Sequence, residues 1–388
     1  MWVSKGRLPH VLAPAAYHSA EQHRREQEAL FLPGWHPIAS HAELRQHGDY
    51  VARELLGTQV LLRNDRGVVR AFVNACAHRH AQLLDAGCGK AHKLRCRYHG
   101  WEYDGAGAVS KIPDAACFVP VRRGSERLSP LRTQALGGVH FVSLASEGPD
   151  LRASLGEATW ALGERIFSTR SLQAVHDTFE HPCNWKIPIE NVLESYHVPS
   201  LHNNWLARNP ELFKVFGGKR RGDASVVHEL GEGYSSYHDS LGADSRAYTA
   251  LIRALSPEAT ADYVHHHGCP HMVFGHTSIV SFVQVVLPRT ATSSYSRIWL
   301  FLDTSARRAP MLGRALSPVL AGAASRLIRM VLAEDAAVYP DVQRGLQASP
   351  HVGVLAAREE RVHHFQEYVA QRAGGRGAPM PTGGIHAR

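Results

Sequence analysis

Two short stretches of this 388-residue chain each offer one thiolate and one imidazole. Cys76 and His78 are separated by one residue, and Cys96 and His99 follow after seventeen more. A zinc finger usually takes two cysteines from one arm and two histidines from the other, whereas here each arm mixes both ligand types. The mixture suits a two-iron cluster in which one iron binds both cysteines and the other binds both histidines. A loop pair held by zinc is the alternative that the spacing leaves open.

A second group of ligand types lies in "ENVLESYHVPSLH", residues 190–202. His197 and His202 are one residue further apart than a helical i, i+4 pair, and Pro199 lies between them. We therefore predict that the helix carrying His197 ends or distorts near residue 198 and that His202 comes from the following turn. Two imidazoles and one carboxylate leave about three positions open on a non-haem Fe(II), which suits O2 chemistry.

The carboxylate has to come from elsewhere in the chain. The stretch 330–346 offers Glu334, Asp335 and Asp341, and we predict a helix there that kinks or breaks at Pro340. Because the chain has 26 histidines, a pair at five-residue spacing is weak evidence by itself. The run 265–267 is three adjacent histidines, whose side chains point in different directions, so we interpret it as a loop or strand end.

The composition is that of a globular protein without an obvious macromolecular ligand. The chain carries a net charge of +8, but its 43 Lys and Arg residues are dispersed, which favours a solvated basic surface over a nucleic-acid site. No apolar stretch reaches the roughly 18 residues of a membrane span, and the N-terminus lacks a signal-peptide pattern. Six cysteines show no disulfide spacing. We expect a cytoplasmic protein with neither nucleic acid nor membrane as partner.

The elements that position these residues fall into two domains. Residues 17–31 read as an amphipathic helix, and short runs punctuated by Gly, Asp and Asn between about 36 and 145 predict an all-β module. Helical patterning near 150–170 precedes a second set of strands over 225–303 and helices over 311–346 and 355–371. We predict an N-terminal helical segment that packs with the catalytic domain, a β-rich domain, a catalytic domain and a disordered tail, over 1–35, 36–148, 149–371 and 372–388.

Together these motifs resemble one family. "CAHR" and "CRYHGWEYD" resemble the ligand loops of the Rieske [2Fe–2S] domain. "EN..ES.YH.P..H" and "ED…VQRGL" resemble the iron site of the catalytic α subunit of Rieske non-haem iron oxygenases, and the resemblance runs from about Phe31 to Gln347. It implies that Asp335 is the third iron ligand, with Asp341 as the fallback. The implied cluster ligands are Cys76, His78, Cys96 and His99, and the implied iron ligands are His197, His202 and Asp335.

The resemblance also implies a fold and a reaction. The fold is α+β, a β-rich Rieske domain plus a catalytic domain with a central antiparallel β-sheet flanked by helices. The chain would be a terminal oxygenase that receives electrons from a ferredoxin and/or flavin reductase, so that NAD(P)H acts only indirectly. O2 activated at a mononuclear Fe(II) would hydroxylate or demethylate a small organic substrate, in a homotrimer in which each subunit uses its neighbour's cluster. Substrate contacts are expected from Asn203, Phe213, Phe274, Phe282 and Trp299.

Three further residues near the histidines are candidates for catalysis. The resemblance implies that Glu194 links His197 to a cluster histidine of the neighbouring subunit. Asn191 and Tyr196 are expected to contact the iron ligands and not the iron itself. Many ring dioxygenases have Asp at the position of Glu194, whereas branches that hydroxylate or demethylate, including those acting on quaternary ammonium compounds, have Glu. We therefore favour monooxygenation. The alternatives are a cis-dihydroxylating aromatic-ring dioxygenase and a non-catalytic Rieske electron carrier.

Overall fold

The computed structural model describes residues 3–118, 126–167, 172–202, 226–240, 262–277, 280–302 and 310–377. The chain divides into two compact units. One is Leu32–Arg170, and the other combines Met1–Phe31 with Ser171–Arg388. The first is rich in β-strands, and the second combines helices with a seven-stranded antiparallel sheet. This architecture confirms the predicted α+β fold class.

Six α-helices lie within the described residues. They are α1 (Ala20–Glu26), α2 (Leu151–Ile166), α3 (Lys186–Val192), α4 (Val198–Leu201), α5 (Pro310–Ala348) and α6 (Glu360–Ala373). The hydroxyl of Ser19 caps α1, and the helix continues as a π-helical turn over Gln27–Phe31, close to the predicted end before Pro33. α5 runs through Pro340 without a break. None of the described helices combines the length and the apolar composition that a membrane span requires.

Short strands build the unit Leu32–Arg170. The first strand of the chain, β1 (Leu8–Pro9), lies in the other unit. The strands of this unit are β2 (His36–Ser40), β3 (Asp49–Leu55), β4 (Thr58–Asp65), β5 (Val68–Val73), β6 (Gly87–Lys90), β7 (Leu94–Arg95), β8 (Glu102–Tyr103), β9 (Val109–Lys111), β10 (Pro130–Leu136) and β11 (Val139–Ser143). Seven of them pair antiparallel in the order β2-β11-β10-β5-β4-β3-β6, and the other three pair in the order β7-β8-β9. The β3–β4 and β4–β5 hairpins turn through Leu56–Gly57 and Arg66–Gly67. All four residues have positive φ, as type I′ turns require.

A single antiparallel sheet dominates the second unit. Its order is β12-β18-β17-β16-β15-β14-β13, and β19 pairs with β1 in a separate two-stranded sheet. The strands are β12 (Leu172–His181), β13 (Val226–Gly231), β14 (Tyr234–Ser240), β15 (Asp262–Gly268), β16 (Met272–Thr277), β17 (Val280–Thr290), β18 (Ser293–Leu302) and β19 (Val354–Leu355).

Helices cover one face of this sheet. Phe282 and Leu300 are directly opposite in β17 and β18. Ala321 and Ala324 of α5 pack against Leu300 and Leu302, and Phe282 packs against the same two leucines. Because side chains alternate along a strand, Trp299 lies on the other face, and the register of β16 with β17 places Phe274 there too. Both side chains are buried. Of the three described aromatic residues expected to contact substrate, Phe282 is thus the one on the face that carries α5.

The three adjacent histidines lie inside β15, not in a loop or at a strand end as predicted. β14 and β16 pair with them on both sides. His265 accepts hydrogen bonds from the guanidinium of Arg361 in α6 at 3.2 Å, and His266 stacks on the ring of Tyr234 with centroids 5.1 Å apart. The neighbours therefore face opposite sides of the sheet, and all three histidines are buried. Three polar residues in a row therefore belong to a buried strand, which their polarity did not indicate.

The unit boundaries differ from those expected. The predicted boundary after residue 148 separates α2 from the β-rich domain, whereas α2 belongs to the unit Leu32–Arg170. The predicted tail begins at residue 372, but residues 372–377 are ordered. The carbonyl of Gly375 accepts from the N–H of Ala13 at 2.9 Å, and Gly377 donates to Val11 at 2.8 Å. Residues 378–388 lie outside the described part of the chain.

Candidate metal centres

The two Cys/His stretches fold into equivalent loops. In each loop the cysteine N–H donates to the carbonyl five residues later, at 2.9 Å for Cys76 and 2.8 Å for Cys96. Each cysteine carbonyl accepts from the amide four residues later, that of His80 or Gly100, at 2.9 and 3.0 Å. Both of these residues have positive φ, 57° and 71°. Two copies of one turn therefore present the ligand residues, although the histidine follows the cysteine by two positions in one and three in the other.

The loops separate sulfur from nitrogen. Cys76 and Cys96 are 1% and 2% exposed and belong to the same buried cluster of side chains. The rings of His78 and His99 are 4.6 Å apart, with His78 half-buried and His99 exposed. Nδ1 of His78 is buried without a hydrogen-bond partner. A buried thiol pair beside an outward imidazole pair fits a [2Fe–2S] cluster with one iron bound by each pair.

Aromatic residues surround this set of ligands. Trp101 stacks parallel to His78, with ring centroids 5.0 Å apart, and Phe118 meets both rings edge-on at 5.5 Å. The hydroxyl of Tyr103 accepts the N–H of Ala77 at 2.9 Å, which leaves its own hydrogen free for Sγ of Cys76 at 2.9 Å. Burial and this sulfur contact raise the pKa of Tyr103.

The second centre begins where α3 ends. α3 stops at Val192, so the prediction that this helix continues to about residue 198 is wrong. The carboxylate of Glu194 is the physical reason for the interruption. It accepts the backbone N–H of His197 at 3.2 Å and that of Tyr196, amides that a continuing helix would pair with carbonyls four residues earlier. The one-turn helix α4 then carries His197 at its N-cap and His202 at its C-cap.

His197, His202 and Asp335 converge on one point. One ligand atom from each lies within 4.8 Å of the others. Oδ1 of Asp335 is 3.1 Å from Nε2 of His202 and 3.6 Å from Nε2 of His197. His202 and Asp335 are 3% and 5% exposed. Asp335, the predicted third ligand, thus lies beside both imidazoles, whereas Asp341 is exposed and pairs with Arg344 one turn further along α5.

Both imidazoles are held at the opposite nitrogen by a second carboxylate. Nδ1 of His197 is 2.5 Å from Oε1 of Glu194, and Nδ1 of His202 is 2.7 Å from Oε2 of Glu334. A ring that donates Nδ1–H to a carboxylate keeps the lone pair on Nε2, which is the arrangement of metal-binding histidines. Burial opposes protonation of His202, yet its contacts with Asp335 and Glu334 raise the pKa of this histidine. Two lone pairs and a carboxylate oxygen thus converge, and this donor set fits a divalent iron.

The other two candidates occupy different surroundings. Asn191 lies in α3, and its Nδ2 is buried without a hydrogen-bond partner. Tyr196 is 59% exposed, its ring packs against the guanidinium of Arg358 at 5.1 Å, and it meets the centre through its backbone N–H on Glu194. Asn203 and Phe213, two of the expected substrate contacts, lie outside the described residues.

Comparison with known proteins agrees with both centres. A family model for the Rieske [2Fe-2S] domain matches residues 34–129, and one for the ring hydroxylating alpha subunit (catalytic domain) matches residues 169–375. The chain belongs to the ring-hydroxylating alpha-subunit family. The resemblance found in the motifs is thereby confirmed, together with the Rieske domain and the catalytic domain of mononuclear iron oxygenases.

Relatives of this alpha subunit act on different kinds of substrate. The oxygenase subunit of carnitine monooxygenase from Acinetobacter pittii (strain PHEA-2) is 30% identical over 189 residues, 48% of this chain and 51% of that protein. The chain spans about half the length of the curated relatives it matches. The quaternary ammonium Rieske monooxygenase CntA in complex with L-carnitine shares the fold, with a TM-score of 0.72 and 21% identity over 94% of this chain and 95% of that one. Naphthalene 1,2-dioxygenase with indole bound has a TM-score of 0.75 and 17% identity, over 95% of this chain and 92% of that one.

Sequence reasoning missed two residues of this alpha subunit. Glu334 stood among the possible third ligands, and nothing in the sequence tied it to His202, which is 132 positions away. Tyr103 follows the "HGW" of the second loop by two residues, and strand alternation from Trp101 turns it to the same buried side. Alternation could have found Tyr103, whereas the Glu334 contact arises only from the tertiary fold.

Proposed function

We propose that this chain is the terminal oxygenase component of a Rieske system and that it inserts one oxygen atom into a small organic substrate. The observation that carries the proposal is the convergence of Nε2 of His197, Nε2 of His202 and Oδ1 of Asp335 within 4.8 Å. Two imidazoles and one carboxylate bound to one face of Fe(II) leave about three positions for O2 and substrate. Glu at position 194, in place of Asp, favours monooxygenation over cis-dihydroxylation.

The iron and the cluster would have separate roles. Fe(II) held by His197, His202 and Asp335 supplies O2 activation, and a [2Fe–2S] cluster held by Cys76, His78, Cys96 and His99 supplies single electrons. The protein's own groups fix the geometry. Glu194 holds the His197 ring by Nδ1, and Tyr103 donates a hydrogen bond toward the cluster thiolate of Cys76. Asp335 contributes the single negative charge among the three iron ligands.

The assembly and the electron source belong to the same proposal. Glu194 would meet the cluster histidines of a second copy of this chain, which calls for a ring-shaped homotrimer in which each active site uses two subunits. A ferredoxin and/or flavin reductase would deliver electrons that originate from NAD(P)H. A cytoplasmic location fits, because the cysteine ligands have to remain reduced.

The substrate class is a quaternary ammonium compound in the first instance. The relatives that favour it are the carnitine monooxygenase oxygenase subunit, matched over half of the chain, and CntA, matched in fold. Carnitine and γ-butyrobetaine are therefore the first substrates to assay, and naphthalene and indole represent the aromatic alternative.

Metal content and oxygen incorporation test the proposal together. Anaerobically purified chain should contain about three iron atoms and two acid-labile sulfides and should bleach with dithionite. With a surrogate reductase, NAD(P)H and 18O2, turnover should place one labelled oxygen in the product. Two labelled oxygens on a ring would identify a dioxygenase, about two irons without turnover would identify an electron carrier, and a colourless zinc protein would refute both centres.

A further inference from the structure

The ring of His202 is held at both nitrogens by consecutive residues of α5. Asp335 faces Nε2 at 3.1 Å, and Glu334 lies 2.7 Å from Nδ1. We propose that Glu334 is a positioning residue of the iron site, which holds His202 as the Nδ1–H tautomer with its Nε2 lone pair toward the metal. This role rests on the proposed function and adds to it a residue that the family resemblance does not assign.

Local structure alone gives the His202 ring little support. His202 follows the one-turn helix α4, and within the described residues its backbone makes one hydrogen bond, from its N–H to Val198 at 3.1 Å. A histidine side chain can rotate about two bonds, and neither rotation is fixed by a segment this short. The Glu334 contact fixes the ring plane and decides which nitrogen carries the hydrogen.

The two supporting carboxylates act over different ranges. Glu194 lies three residues before His197 and belongs to the same turn, so it orients that ring within its own segment. Glu334 comes from a different helix, the one that supplies Asp335, and thus sets the position of one ligand relative to another. Losing it should displace His202 with respect to Asp335, which weakens metal binding directly.

An ordinary ion pair is the competing explanation. The side chain of Glu334 is 26% exposed, whereas His202 is 3% exposed, and a partly exposed pair can contribute little to stability. A simple ion pair predicts that removing the carboxylate changes the melting temperature slightly and leaves metal affinity unchanged. A positioning role predicts that metal affinity falls while the melting temperature changes little, since the ring would lose its defined tautomer.

Metal binding in the full-length, cluster-containing protein separates the two explanations. Iron is removed from the mononuclear site anaerobically, and Co(II) binding is followed by its visible absorption in competition with a chromophoric chelator. Glu334→Ala and Glu334→Leu, which both remove the acceptor, should raise the Kd about 10- to 100-fold. Glu334→Gln, which retains an acceptor oxygen, should fall between these variants and the parent.

Asp341→Ala is the matched control, because Asp341 is an exposed carboxylate on the same helix and pairs with Arg344. It should bind Co(II) like the parent. Unchanged cluster absorption and melting temperature identify the variants that are folded, and either Glu334→Ala or Glu334→Leu then decides the question. Parent-like affinity in the folded variant overturns the positioning role, whereas a parent that binds neither Fe(II) nor Co(II) overturns the proposed function itself.

Discussion

Nδ1 of His197 and Oε1 of Glu194 lie 2.5 Å apart. The other oxygen of the same carboxylate accepts the backbone N–H of His197 at 3.2 Å. Glu194 is therefore positioned by the backbone of its own turn as well as by the His197 ring. Its side chain is 11% exposed, so the carboxylate is close to the surface but not fully buried. The geometry thus suits a carboxylate that supports one ligand and can still meet a group outside the chain.

Glu194→Gln should separate these two functions. The amide keeps the size and an acceptor oxygen but loses the charge, so iron and cluster contents should remain near parental values. Turnover should fall about 10- to 100-fold, the usual cost of losing a partner of a metal ligand. The measurement is steady-state turnover normalised to iron per chain, with the rate of cluster reoxidation in a single turnover. Loss of iron in proportion to activity would show that Glu194 serves the ligand alone.

Asp335→Ala should remove the mononuclear iron and leave the cluster intact. Asp335 is 5% exposed and faces both imidazoles, so its loss takes the only charged ligand from the set. Turnover should become undetectable, while the visible spectrum of the cluster stays unchanged because its ligands lie in the other unit. Asp341→Ala is the control and should retain iron and activity. Activity that survives in Asp335→Ala and disappears in Asp341→Ala would transfer the ligand assignment to Asp341.

The proximity of the predicted ligands within each Cys/His or His/His pair could be predicted from the sequence because short spacings constrain them. Cys76 and His78, or His197 and His202, are close in the chain whatever the rest of the fold does. The course of the backbone between them was harder to predict. Glu194 interrupts α3 by accepting two amides, and a helical reading of "ENVLESYH" does not include this competition between side chain and backbone.

Other parts of the structure depend on burial and on distant contacts. β15 was missed because three histidines look polar, yet the strand pairs on both edges and lies in the core. The contact between Glu334 and His202 joins residues 132 positions apart, so no local pattern reports it. The strand and helix content of the two domains, in contrast, follows hydrophobic periodicity and was predicted correctly in outline.

Tyr103→Phe should lower the reduction potential of the cluster. Hydrogen bonds to cluster sulfurs favour the more negative, reduced form, and the Tyr103 hydroxyl is 2.9 Å from Sγ of Cys76. A net contribution of about 1 kcal/mol corresponds to about 40 mV for one electron. The measurement is a redox titration followed by electron paramagnetic resonance. Tyr98→Phe is the control, since that hydroxyl accepts from Arg79 at 3.3 Å instead of contacting a thiol. Equal potentials for the parent and Tyr103→Phe would contradict the expectation.

His266 should make the folded chain sensitive to acid. Burial, with smaller effects of Arg361 and His238, lowers the pKa of His266 from its ordinary 6.5 to about 3. Below pH 6.5 the unfolded chain therefore takes up a proton that the folded chain refuses, and stability falls as the pH decreases toward 3. This single group should reduce the free energy of unfolding by about 2 kcal/mol between about pH 7.5 and about pH 5.

His266→Phe should abolish that part of the acid sensitivity. Phenylalanine keeps the stacking on Tyr234 and cannot titrate. Urea unfolding at about pH 7.5 and about pH 5 should show a difference between the two pH values that is about 2 kcal/mol smaller in the variant than in the parent. His351→Gln, which changes an exposed histidine, should behave like the parent. An identical pH dependence in His266→Phe and the parent would mean that His266 is protonated in the folded state.

Lys186→Met should destabilise the fold and, through it, the iron site. Nζ of Lys186 is 2.7 Å from Oε1 of Glu26, and both side chains are fully buried. Removing the ammonium leaves an uncompensated carboxylate, which costs about 3–5 kcal/mol. Adding Glu26→Gln removes that charge and should restore most of the lost stability, because the amide oxygen can still accept from Trp185 Nε1.

Since Lys186 is the first residue of the helix that leads to Glu194 and His197, the single variant should also lose iron and the double variant should regain it. Urea unfolding with iron analysis tests both, and equal stability of the single and double variants would show that the pair is not coupled.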